Sequence, residues 1–138
     1  MERDIEIFYP KSRQEWRDWL QNNHDKEQSV WLIYYKKKSK FPTVNYSEAV
    51  DEALCFGWID SKLKSLDEEK FMQFFSIRKA KSVWSRINKE KVRRLIDDGL
   101  MTKSGFDTIE IAKQNGSWTI LDEAEALIIP NDLDKEFK

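Results

Sequence analysis

Apolar residues recur along the chain with two different periods, and the changes of period mark its elements. Trp16, Trp19 and Leu20 stand at i, i+3 and i+4, one face of a helix. Ser12, followed three residues later by Glu15, fits an N-terminal capping box, so a first helix is predicted over about residues 13–22, ended by Asn22, Asn23 and His24. Residues 30–35, VWLIYY, are β-branched and aromatic and stop at three lysines, which reads as a strand near the middle of a sheet. A second helix is predicted through EAVDEALCF, with Asn45 or Ser47 as its cap, a broad apolar stripe from Ala49 to Phe56, and Gly57 as its left-handed stop.

From Trp58 the period changes to two. Residues 58–66 and 71–77 both alternate and are separated by Asp67, Glu68 and Glu69, which predicts an antiparallel hairpin. A third helix over about residues 86–98 turns Ile87, Val92, Leu95 and Ile96 inward and ends at Gly99. A fourth spans about residues 104–114 and ends at Asn115-Gly116, and Pro130 with Asn131 marks the start of a short last helix. No repeat or linker interrupts the series. The elements imply one α+β domain, a small antiparallel three-stranded meander packed against four or five helices, because no helix–strand alternation long enough for a doubly wound parallel sheet is present.

Composition narrows the class. With 138 residues, 40% hydrophobic and 13% aromatic, the chain has enough apolar mass for one core, while a mean hydropathy of -0.73 implies a strongly solvated surface. One cysteine and one histidine exclude an internal disulfide and a structural zinc site made of paired cysteines and histidines. No stretch has the uninterrupted apolar run of a signal peptide or a membrane span, so the expected location is the cytoplasm.

Net charge is -1, yet residues 77–94 hold eight basic residues against the single acid Glu90, whereas residues 97–138 hold ten acids against four lysines. The basic segment therefore either binds an anion or is neutralised by the acidic C-terminal third. Its first part, RKAKSVWSR, runs from a strand end into a helix start. There Arg78, Lys79, Lys81, Ser82 and Arg86 can converge with free backbone N–H groups on an anionic ligand, with Trp58 and Trp84 as stacking surfaces and Asp60 beside them. The pI of 5.9 argues against nucleic acid. An enzyme would have to use Cys55, His24, or a carboxylate among Asp51, Glu52 and Asp60. Cys55 lies among Leu54, Phe56 and Trp58, the setting of a structural thiol, and paired acids are commonplace on solvated faces of a chain that is 36% charged. No catalytic residue, cofactor or metal is assigned, and oligomeric state is not readable.

Three blocks carry a resemblance: Glu52–Asp60 (EALCFGWID), Arg78–Ser85 (RKAKSVWS) and Met101–Gly105 (MTKSG), in that order. The sequence resembles the YdeI/OmpD-associated family over about residues 10–135, departing from it at Ser76-Ile77, where relatives carry Thr-Pro, and in stopping short of a further helical segment. The resemblance implies a bacteriocin-protection or antimicrobial-peptide-tolerance role in stress, and the basic residues 78–94 themselves point to an anionic or peptide partner. It brings no catalytic set. The family label also suggests the periplasm, which the missing leader speaks against.

Overall fold

The computed structural model describes residues 5–121. The elements run β1 (Ile7–Phe8), α1 (Arg13–Asn23), β2 (Ser29–Tyr35), α2 (Tyr46–Cys55), β3 (Trp58–Ser65), β4 (Lys70–Ile77), α3 (Arg86–Asp97) and α4 (Lys103–Asn115). The helix starts follow the caps. Ser12, Asn45, Ser85 and Thr102 each accept a backbone N–H of the first turn of the helix they precede. Asn45 and Glu48 form the reciprocal capping box on α2, whereas Glu15 reaches back to the N–H of Lys11. The short helix expected from Pro130 lies outside the described residues.

The sheet corrects the expected three-stranded antiparallel meander. It has four strands in the order β1-β2-β4-β3 and is mixed, because β1 pairs parallel with β2 while β2–β4 and β4–β3 are antiparallel. Two physical reasons account for the difference. A two-residue strand has no period to read, and it docks only because α1 returns the chain beside it. The hairpin also places β4 inside, since FMQFF offers apolar groups to both faces, and leaves the lysine-bearing β3 outside. The α+β class stands.

Val30, Leu32 and Phe75 point from the sheet into the core, where Trp16 meets Phe75 with ring centroids 5.2 Å apart and Trp19 meets Trp58 edge-on at 5.7 Å. On the other face Trp31 contacts Phe74 at 5.0 Å and Lys62 Nζ lies 5.0 Å over the Phe74 ring. The register of β3 shifts between Asp60 and Leu63, so the alternation read from residue 58 onward does not continue past the bulge. In α3, Val92 and Leu95 are buried but Ile87 is 65% exposed, because only one face of that helix meets α2.

Candidate functional site

Arg78 leaves the end of β4 with its N–H bonded to the carbonyl of Gly57, and its side chain turns inward rather than to solvent. The residue is 6% exposed. Its guanidinium lies flat on Trp84, with Cζ 3.5 Å from the ring centroid, and Nη2 donates to Val83 O at 2.8 Å and to Asn88 Oδ1 at 3.4 Å. Nε and Nη1 are buried and have no hydrogen-bond partner among the described residues. Burial drives Arg78 down to about 10, a cost that the charge of Asp60 offsets only in part. A desolvated cation–π contact supplies ~2 kcal/mol, less than the several kcal/mol that burying an unpaired cation costs. Among the described residues no side chain accepts from these two groups.

Side-chain hydrogen bonds also form a polar circuit across α3, α2, β3, β4 and β2. Asn88, on the first turn of α3, reaches Arg78 and bonds through its own N–H to the cap Ser85. One turn further, Lys91 donates to Ser47 Oγ at 3.0 Å on α2. Next to Ser47, the Tyr46 hydroxyl donates to Asp60 Oδ2 at 3.0 Å on β3, and Gln73 Nε2 donates to the same oxygen at 3.2 Å. Tyr34 OH donates in turn to Gln73 Oε1 at 2.9 Å. The charge of Asp60 favours the protonated form of Arg78. Burial, reinforced by Asp60, raises both Tyr34 and Tyr46 above the ordinary tyrosine value, so both hydroxyls are donors at neutral pH.

Of the residues singled out from sequence, Arg78 and Trp84 are brought into contact, and Asp60 belongs to the polar circuit and acts on Arg78 through its charge. Trp58 and Trp84 are each 1% exposed, and Trp84 is covered by the Arg78 guanidinium and the Trp118 ring, so neither ring is a free stacking surface. Lys79, Lys81 and Arg86 lie on the surface, and Ser82 is half-buried with its N–H on Lys79 O. The helix cap is Ser85. Sequence reasoning passed over Tyr34, Tyr46, Gln73, Asn88 and Lys91. A signal existed for Gln73, an amide in the middle of FMQFF, since a polar group inside a central strand needs a partner.

The basic segment is neutralised in part by α2. Asp51, 4% exposed, receives Lys91 Nζ at 2.9 Å and Arg94 Nη2 at 2.8 Å, with Arg13 at 3.7 Å. Glu52, 2% exposed, holds Arg13 and Arg17, the latter at 2.7 Å. These two acids, expected on a solvated face, are instead the buried link between α1, α2 and α3.

Cys55 is fully buried, and burial together with the Glu52 charge pushes its thiol up to about 11 although Arg17 pulls the other way. His24 is occupied elsewhere, Nδ1 on Leu20 O at 2.8 Å and Nε2 on Ser104 Oγ at 3.0 Å. Native protein at pH 8 is therefore expected to leave Cys55 unmodified by a small maleimide, with labelling only as fast as unfolding. The same burial shapes alkaline stability. Between pH 9 and 11 folded Cys55 keeps a proton that the unfolded chain releases, so its own contribution to stability falls through that window by at most about 3 kcal/mol. Urea midpoints for the parent and Cys55→Ala should converge as pH rises from 8 to 11; parallel curves would contradict this.

The fold and the circuit define an α+β domain with a cation sequestered at the start of a helix. The chain belongs to the DUF8412 family, described as a domain of unknown function, whose profile matches residues 8–108. No curated protein and no solved structure matches it. Among the described residues no helix is long and apolar enough to cross a membrane, and no group of three or more His, Cys, Asp or Glu is placed to hold a metal ion.

Proposed function

We propose that this domain binds a small anion, or the anionic end of a peptide, at Arg78 where β4 passes into α3, and that it serves stress protection in the cytoplasm as a YdeI/OmpD-associated-type protein. The observation that carries the reading is the pair of buried, partnerless groups Nε and Nη1 on one guanidinium. Buried polar groups are almost always satisfied, and a carboxylate or phosphate oxygen satisfies an arginine with a charge-assisted bond. The start of α3 adds its positive end, and the exposed Lys79 and Lys81 raise the local potential through which an anion approaches. The domain is read as a binding module because Cys55, its one thiol, is buried and held as the neutral acid.

Thermal unfolding in acetate and in inorganic phosphate, each against chloride at equal ionic strength, tests the reading. A ligand bound only by the folded state stabilises it by RT ln(1 + [L]/Kd), about 2.7 kcal/mol at a hundred times Kd. The parent should gain several degrees in at least one anion. Arg78→Met, which removes a charge that burial penalises, should keep its own stability within about 1 kcal/mol and lose the gain. Equal gains in both proteins would reduce the effect to general salt action, and no gain in either would remove the site.

A further inference from the structure

We propose that a groove between the end of β2 and the first turn of α2 is a second ligand site, for a planar aromatic ring that carries a negative group. The groove measures about 570 Å³, within the range of small-molecule sites, and has Tyr34, Tyr46 and Phe71 as its aromatic walls and Lys36 and Lys37 among its lining residues. No acidic side chain lines it.

Its walls are built in different ways. Tyr34 is fixed from below by Gln73 and from the side by Phe71, whose ring centroid is 5.0 Å away. The rear wall is Val44, fully buried, and the loop carrying it is pinned by Tyr35 N donating to Thr43 Oγ1 at 3.0 Å. Tyr46 is 52% exposed, a large ring left uncovered although its hydroxyl is anchored on Asp60. An aromatic side chain with a fixed tip and a half-exposed ring, in a groove that Phe71 and Tyr35 also line, suits a flat apolar body better than a chain or a sphere.

Charge sets the orientation. Asp60 lies behind Tyr46, so the positive edge of a bound ring belongs on that side and its negative substituent belongs by Lys36 and Lys37. This site is separate from the one at Arg78, whose contacts Val83, Trp84 and Asn88 are not among the lining residues of the groove.

Two-dimensional amide NMR of the full chain, titrated with benzoate, phenyl phosphate, benzamide and cyclohexanecarboxylate, tests the proposal. Benzoate or phenyl phosphate should shift amides in residues 34–37, 43–47 and 71, and the tighter of the two identifies the anionic group. Benzamide, planar but neutral, and cyclohexanecarboxylate, anionic but not planar, should bind about tenfold more weakly or not at all. Tyr46→Ala should weaken the best probe by about tenfold while Tyr46→Phe retains it, and Lys36→Met with Lys37→Met should abolish the preference for benzoate over benzamide. Shifts confined to residues 78–88, equal binding of the neutral or non-planar probe, or no shifts with any probe would overturn the proposal.

Discussion

Gly105→Ala is expected to destabilise the protein by about 2–4 kcal/mol, read as a lower urea midpoint at unchanged slope. The sign runs against helix propensity, which favours alanine over glycine inside a helix by about 1 kcal/mol. Packing reverses it. A Cβ at position 105 would come within 2.4 Å of the carbonyl oxygen of Cys55 and of Met101 Sδ. The methionine can swing aside, but the carbonyl is backbone and already accepts Thr102 N at 3.1 Å and Thr102 Oγ1 at 2.6 Å. The start of α4 is thus seated on the end of α2, where Thr102 satisfies a carbonyl that the helix leaves open, and one methyl group would lift it off. Gly99→Ala is the control: nothing lies within 4 Å of its added Cβ, so only the positive φ of 76° opposes it, at a cost of about 1 kcal/mol. Equal losses at the two positions would refute the close approach.

Glu52→Ala is the second large effect, a loss of about 2–4 kcal/mol. Removing one partner of a buried pair costs about 3–5 kcal/mol because the other charge is stranded. The lower figure applies because the Arg13 and Arg17 side chains keep 35% and 20% of their surface in water and can partly turn toward it. Arg17 also holds Leu100 O at 2.8 Å, so the loss should spread to the α3–α4 turn. A double-mutant cycle with Arg17→Ala should return a coupling above about 1 kcal/mol. A Glu52→Ala loss below that figure would mean that the acid is tolerated in the core without contributing to it.

How much of this was legible in the residues depended on whether a local period existed. Helices α1 to α4 and strands β2 to β4 were readable because each carries several turns or pleats of pattern and a capping or stopping residue. Two isolated strand residues, Ile7 and Phe8, carry none. Facing was harder than existence: Ile87 fits an apolar stripe, yet only the partner helix decides which side of α3 is covered. The acids of α2 were misjudged for a related reason. Asp51 and Glu52 sit where every residue from Ala49 to Cys55 is buried, and a helix enclosed on all sides has no solvated face for acids to occupy. Arg78 was picked out as a cation able to meet an anion, but its inward turn onto Trp84 is a tertiary event. The groove at Tyr46 had no local signature, being assembled from a loop, a strand end and a residue on another strand.

The placement of β3 has a consequence for concentrated solutions. An outermost strand of eight residues would ordinarily invite a neighbouring chain to add to the ladder and so begin a fibre. Here the register shift after Asp60 bends its rim, and the ammonium groups of Lys62 and Lys64 would meet their own copies in any such stack. Like charges repeated every few ångströms repel, so these lysines oppose the edge-to-edge joining of separate molecules.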